Sequence, residues 1–214
     1  MNKPLTPRLE KLFSELSPAD TFADVGCDHG YIAEKMLETN KCERAIITDI
    51  SAECLNKAVK LLEKNFSGKF TAIVADGLKG VPKADEALIA GMGGEIICDI
   101  LKNADHLPEK LVLQPMKNPE KVRRTAIELG YRLTRDYTFK DVKFYDVITA
   151  ERGEDDYSPD ELIFGRDNLR QKGSAFREFI GLKIKKLERA KMKAKAERAE
   201  EIVKRIEKYE EILG

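Results

Sequence analysis

Hydrophobic and polar positions along the 214-residue chain change period repeatedly. Short apolar runs bounded by Gly, Asp or Pro predict strands over 21–26, 44–49, 70–76, 86–90 and 111–114. Between them the spacing lengthens to three and four. Tyr31 to Leu37 reads as a helix, with Tyr31 assigned to the core, and Leu55, Ala58, Val59 and Leu62 line one face of another that Ser51 is placed to cap. A helix after the fifth strand runs to Leu129, with Gly130 at its C-terminal end. Pro115 is read as the stop of the fifth strand. Strand and helix in alternation predict a parallel, doubly wound α/β sheet.

The rhythm then breaks. Residues 131–138 and 142–150 read as two strands separated by a short turn, so they must be antiparallel, because a parallel pair needs a long crossover. Five βα units closed by a β-hairpin is the layout of class I methyltransferases, whereas Rossmann dehydrogenases usually add a sixth parallel strand. Residues 151–158 read as an acidic linker. Beyond about Asn168 there is no Pro and little Gly, and two seams recur at helical spacing: Ile180, Ile184, Leu187 and Ile202, Ile206, Tyr209, Leu213. Two arrangements satisfy these seams, an antiparallel coiled-coil hairpin or one long helix that dimerises; the large-residue-poor stretch 191–196 favours the hairpin. The expected organisation is a Rossmann-like catalytic domain over 1–157 and a helical coiled-coil domain over 158–214.

Charge adds an asymmetry. The chain is neutral overall, yet residues 165–214 hold 15 Lys and Arg against 9 Asp and Glu, leaving the body net acidic. A basic appendage on an acidic body suits an anionic partner, and an ordinary solvated helix surface accounts for it equally. The four cysteines, Cys27, Cys42, Cys54 and Cys98, form no CxxC pair and no zinc-like spacing. The first seven residues contain no apolar leader segment, and no apolar run approaches the ~20 residues of a membrane span. A cytoplasmic protein with reduced thiols and no membrane partner is expected.

The chemistry gathers at the carboxyl ends of the predicted parallel strands, where such sheets hold ligands. The first ends in Asp24-Val25-Gly26-Cys27-Asp28-His29-Gly30, the second in Asp49-Ile50, the third in Asp76-Gly77, the fourth in Gly91-Met92-Gly93-Gly94 and the fifth in Gln114-Pro115. A dinucleotide fingerprint puts Gly where Asp28 stands, so that a pyrophosphate can reach the helix N-terminus. Asp28 repels a pyrophosphate and attracts a cation, which favours S-adenosylmethionine, a sulfonium with no phosphate, over NAD. Asp49, 25 residues after Asp24, is placed to accept both ribose hydroxyls, and Asp76 the adenine amino group. Gly77 leaves room for the ring, with Ile50 and Leu78 to sandwich it. Asp24 and Asp28 face the methionine end. Asp49 and Asp76 each have an alternative role as a helix N-cap.

Leu5-Thr6-Pro7-Arg8-Leu9, 23–29, Ala90-Gly91-Met92-Gly93-Gly94 and Leu113-Gln114-Pro115, together with Tyr157-Ser158 and 162–165, resemble the bacterial TrmK family over essentially the whole chain. The resemblance implies methylation of N1 of adenine 22 in the D-arm of tRNA by S-adenosylmethionine, with tRNA as partner, no DNA, and a monomer. It implies a cofactor site of Arg8, Asp24, Gly26, Asp28, His29, Asp49, Ile50, Asp76, Gly77, Gly91 and Met92. The catalytic candidates read from their places in the sequence are Asp28, His29, Gly93, Gln114 and Tyr145, with no metal. Amino-methyltransferases often carry Asn/Asp-Pro-Pro-Tyr/Phe after the fourth strand; this chain does not, which suits a ring nitrogen with its own in-plane lone pair. Where the family tends to have Asn after Gln114-Pro115, this chain has Met116, with Asn118 two residues on.

Several positions keep two readings. His29 places the base or accepts a proton, or is a helix-start residue bonded to backbone. Tyr145 stacks on the base or packs in the sheet. Arg8 closes over the cofactor carboxylate or lies on the surface. The basic positions Lys183, Lys185, Lys186, Arg189, Lys191, Lys193 and Lys195 would touch RNA phosphates. The rivals are a non-catalytic cofactor-binding module that recruits a protein through its coiled coil, a dehydrogenase, and a methyltransferase with a different RNA or small-molecule acceptor.

Overall fold

The computed structural model describes residues 4–214; the first three residues of the stretch read for a leader lie outside it. In chain order the elements are α1 Pro7–Glu15, β1 Ala19–Val25, α2 Tyr31–Glu38, β2 Cys42–Asp49, α3 Ala52–Phe66, β3 Phe70–Val74, β4 Glu86–Gly93 and α4 Gly94–Lys102. There follow β5 Lys110–Lys117, α5 Pro119–Glu128, β6 Tyr131–Lys140, β7 Phe144–Arg152, α6 Pro159–Phe164, α7 Arg166–Gln171, α8 Ser174–Lys191 and α9 Ala196–Leu213. One seven-stranded sheet runs β3-β2-β1-β4-β5-β7-β6; β7 is antiparallel to both neighbours and the rest are parallel. This is the doubly wound sheet with a terminal antiparallel pair that the alternation implies.

Period-two alternation divides the core between the two faces of the sheet. Phe22, Ala45, Ile47, Leu88, Val112 and Val147 pack against α1, α2 and α3. Their chain neighbours Ala23, Ile46, Ala87, Ile89, Leu111 and Ile148 pack against α4 and α5. Asp24 follows Phe22 in period, so its carboxyl is directed to the α2 side.

Three local readings change. Pro115 does not stop β5, which continues to Lys117. The β5–β7 pairing ends at Leu113 opposite Ile148, so the missing N–H at Pro115 breaks no rung on that side. The β6–β7 turn sits at 141–143 rather than between Thr138 and Val142, and Val142 is exposed. The acidic stretch after β7 is fastened down. Asp155 accepts the Leu133 N–H at 2.8 Å and pairs with Arg166 at 2.9 Å, while Tyr157 is buried beneath the Arg166 guanidinium, 4.0 Å from its ring centre.

The C-terminal segment has its own apolar cluster, in which Phe164, Phe176, Ile180 and Ile212 are buried. Helices α8 and α9 fold back on one another across the turn at 192–195, and Arg177 near the start of α8 donates to the Leu213 carbonyl at the end of α9. Ile212, outside the expected seam, is buried more deeply than Leu213. Arg123 of α5 ties this segment to the sheet. It is fully buried, donates to Asp136 at 2.8–2.9 Å and to Asp146 at 3.0 Å, and reaches the Leu162 carbonyl of α6 at 3.0 Å. Among the described residues no helix is long and apolar enough to cross a membrane, and no cluster of His, Cys, Asp and Glu could hold a metal.

Candidate active site

A cleft of about 550 Å³ opens at the carboxyl ends of β1, β2, β3 and β4. The turn after β1 forms its floor. Gly26 has φ +69°, and the Gly26 and Cys27 N–H groups both donate to the Thr48 carbonyl of β2. A Cβ at Gly26 would meet the Met92 methyl at 2.0 Å and push that flexible side chain aside, but the left-handed backbone is what calls for Gly here. Gly30 and Ala58 give the close approach of α2 to α3 in the same way.

Asp24, Asp28, Asp49 and Asp76 line the cleft together with a single guanidinium, Arg8. Asp24 is buried and accepts the Ala33 N–H of α2 at 3.2 Å. Burial pushes its carboxyl up to about 7; the Ala33 N–H offsets part of that, and nearby Asp49 adds to it. Asp49 accepts the Ser51 N–H at 2.8 Å with one oxygen and the Asp28 N–H at 3.3 Å with the other. It does not cap α3: the Ser51 hydroxyl does, accepting from Cys54. Asp76 is exposed and precedes a turn rather than a helix, so the N-cap alternative is not realised there either. Asp28, itself at φ +49°, holds the His29 ring through Nδ1 at 2.8 Å. His29 stacks on Tyr31 with ring centres 5.4 Å apart. Tyr31 is therefore a half-buried wall of the cleft and not the core residue that the apolar spacing suggested.

Ile50, 75% exposed, and Gly77 line the cleft, but Leu78, expected to pair with Ile50 across a ring, is buried in the main core; Ile96 and Ile100 supply apolar wall instead. Gly77 has φ +67°, and any Cβ there would strike Ile100 at 2.6 Å. Gly91, at φ +80°, lies under Arg8, whose Nη1 would be 3.5 Å from a Cβ. Met92 joins the lining, and both Cys27 and Met92 bring sulfur to it. Burial, then Asp24 and Asp49, raise the Cys27 thiol far above its usual range, so it stays neutral.

Gly93, Gln114 and Tyr145 stand behind this lining. Gly93 is the N-cap of α4. Gln114 is fully buried; its Oε1 accepts from Arg8 at 2.5 Å and its Nε2 donates to the Pro115 carbonyl at 3.1 Å. Tyr145 packs on Phe139 at 5.4 Å and lies 5.8 Å from the Arg8 guanidinium carbon. Arg8 forms no ion pair among the described residues, so its charge is available to the cleft. Sequence reasoning did not place a helix at Arg8, although Thr6-Pro7 is an N-terminal signal: Thr6 accepts from Leu9 at 3.4 Å and Pro7 opens α1.

Four carboxyls around one arginine reject a pyrophosphate and match a ligand that carries a sulfonium and an ammonium beside one carboxylate. With the parallel sheet, its antiparallel terminal pair and acids at the ends of β1, β2 and beyond β3, this defines a class I S-adenosylmethionine-dependent methyltransferase.

The model of the TrmK family, tRNA (adenine(22)-N(1))-methyltransferase, matches residues 22–211, and the chain belongs to that family. A tRNA (adenine(22)-N(1))-methyltransferase of Bacillus subtilis is 31% identical over 165 residues, 74% of this chain and 69% of that one. A candidate tRNA methyltransferase of Mycoplasma pneumoniae is 31% identical over 133 residues, 60% of this chain but only 62% of its own length. The structure of M. capricolum TrmK in complex with the cofactor product S-adenosyl-homocysteine superimposes with a TM-score of 0.87 at 25% identity, covering 98% of this chain and 97% of that one.

The raised pKa of Asp24 has a measurable sign. Below about pH 7 Asp24 holds a proton and must release it to face a cation. Affinity for S-adenosylmethionine is expected to fall as pH drops below 7, by up to about tenfold per unit, and to level off above it. Asp24→Asn should flatten the curve. Calorimetry across pH 5.5–8.5 checks this, and an equally steep curve in the variant contradicts it. Stability should move the other way: Asp24 and Glu86, both raised by burial to about 7, keep protons in the folded state that the unfolded chain releases near pH 4. These two groups therefore contribute stability that is lost as pH rises from about 4 to 7, and Glu86→Gln should reduce that pH dependence.

Proposed function

We propose that this chain transfers a methyl group from S-adenosylmethionine to N1 of adenine 22 of tRNA. The observation that carries the reading is the acid-lined cleft at the ends of β1 to β4 in a chain of this family. When bound, S-adenosylmethionine supplies an electrophilic methyl group on a sulfonium. Asp49 would hold the ribose hydroxyls with lone pairs left over from its two backbone contacts, and Asp76, with Gly77 and Ile50, the adenine. Asp24 and Asp28 would balance the cationic methionine end, and Arg8, held by Gln114, its carboxylate. N1 of adenine carries an in-plane lone pair, so no proton has to leave before attack. Catalysis then rests on placing that lone pair in line and on polar groups near the charge that develops on the base. Asp28 with His29 is the ionisable pair at that place, and Gly93 and Tyr145 flank the approach of the base.

The exposed cations of α8 support binding of RNA phosphates. Changing Lys185, Lys186 and Arg189 to Gln should weaken tRNA binding on all sequences alike. It should also flatten the dependence of log K on log salt by roughly 0.7–0.9 for each phosphate that the variant no longer neutralises. An unchanged slope in a filter-binding series contradicts the assignment. The reading carries with it a monomer acting in the cytoplasm on tRNA, with neither DNA nor a membrane as partner. Four free cysteines suit such a reducing compartment.

The test is calorimetric titration with S-adenosylmethionine and with NAD, followed by transfer of labelled methyl to unmodified tRNA. Binding of the first alone, and label recovered as N1-methyladenosine, is the expected result. Cofactor binding without any transfer would favour the non-catalytic module instead, and binding of NAD a dehydrogenase.

A further inference from the structure

A second groove, about 420 Å³, lies outside the cofactor cleft, between the end of β5, the start of β7 and helices α6, α8 and α9. Three aromatic side chains form part of its wall: Phe144 and Phe179, with ring centres 5.4 Å apart, and the half-buried Tyr209. Met116 and Ile163, large apolar residues 42% and 53% exposed, lie in the same groove. Asn118, Glu120 and Thr138 belong to its polar lining, and so does the carboxylate of Asp146. One oxygen of that carboxylate is fixed by the Arg123 guanidinium at 3.0 Å and by the Thr138 hydroxyl at 3.2 Å. The other oxygen has no partner among the described residues, and the side chain is 19% exposed. Lys117 and Lys183 also line the groove, and neither forms an ion pair among the described residues. Lys183 belongs to the basic run of α8.

We propose that this groove binds one unstacked guanine nucleotide of the tRNA, next to the base in the catalytic cleft. RNA is read in single-stranded segments by stacking bases on aromatic rings and by hydrogen bonds to their edges. A carboxylate only accepts, so it selects an edge with adjacent N–H donors. Guanine offers N1–H and the N2 amine side by side, whereas adenine and cytosine pair a donor with an acceptor that Asp146 repels. A phosphate cannot take the same place, because Asp146 and Asp136 share a single Arg123 and leave the spot net negative; Lys117 and Lys183 are where phosphate is received. The two sites are joined along β5. Gln114 holds Arg8 of the cleft through Oε1 and contacts Met116 of the groove, Nε2 to Sδ, at 3.4 Å. Met116 thus gives the groove an apolar wall on the strand that also carries Gln114. This inference rests on the tRNA reading.

The experiment is tRNA binding and kethoxal probing, kethoxal being a reagent for the N1 and N2 edge of unpaired guanine, on wild type, Phe179→Ala and Asp146→Asn. Wild type should shield one guanine close to the methylated adenine. Phe179→Ala should raise the Kd for tRNA by about tenfold, with S-adenosylmethionine affinity unchanged, and expose that guanine. Asp146→Asn should expose it while altering affinity less. Because Asp146 also holds Arg123, Phe179→Ala carries the decision if Asp146→Asn is poorly folded. Unaltered tRNA affinity and an unaltered kethoxal pattern in Phe179→Ala would overturn the groove assignment while leaving methyl transfer intact. Protection of no guanine by wild type would overturn the base assignment. A wild-type protein that binds no tRNA would instead defeat the reading beneath it.

Discussion

Arg123→Ala is expected to lower folding stability by about 3–5 kcal/mol, the cost of removing one partner from a buried ion pair. Asp136, whose carboxyl burial already raises, would lose the cation that lowers it and would have to take up a proton to stay buried, and Asp146 would lose the guanidinium that fixes one of its oxygens. The Leu162 carbonyl would lose its donor as well. The loss is a large share of the ~5–15 kcal/mol that holds a typical domain together. It should also be uneven. Arg123 joins α5, β6, β7 and α6, and the same junction contains Gly165, where a Cβ would meet Asp136 at 2.9 Å and Arg123 at 3.1 Å. Chemical denaturation gives the total, and limited proteolysis should find α8 and α9 cut before the sheet. A variant as stable as wild type would show that the network contributes specificity rather than stability.

Asp49→Ala is expected to weaken S-adenosylmethionine binding roughly a hundredfold, because two hydrogen bonds to a charged acceptor disappear at about 1.5–3 kcal/mol each, partly regained from water. Part of the effect is conformational, since Asp49 also anchors the Asp28 and Ser51 N–H groups that shape the turn. Asp49→Asn retains part of the anchoring: its one amide oxygen still receives Ser51, while the Asp28 contact, the charge and half of the acceptor capacity go. Asp76, exposed and with no side-chain partner among the described residues, should cost tenfold or less as Asp76→Ala. Calorimetry ranks the three, and equal small losses at both positions would remove Asp49 from the ribose.

The sheet was legible because five of its strands are apolar runs that end in Asp, Gly or Gln; for β1, β2, β4 and β5 burial on both faces sets that pattern, whereas β3 is a half-exposed edge strand. The antiparallel pair was legible from the shortness of its turn. Pro115 misled, since the effect of a proline depends on whether a neighbouring strand needs its N–H, and the end of β7 pairing is a tertiary fact. Short helices escaped notice. Yet α6 carries a full capping box, Ser158 with Glu161, and α1 a Thr-Pro start, signals strong enough to have been used. At the site, residues adjacent in sequence, from Asp24 to Gly30, were found together as expected. The contact of Arg8 with Gln114, 106 positions apart, and the stacking of Tyr31 on His29 needed the fold. The second groove draws on positions from Pro115 to Tyr209, and no local pattern announces it.

The measurement that bears most directly on the central claim maps the methyl group by mass spectrometry on two transcripts of one tRNA, with adenine or guanine at position 22. The account predicts a single N1-methyladenosine at position 22 of the first transcript and no methylation of the second. Equal methylation of both transcripts, or a methyl group at any other position, would contradict it.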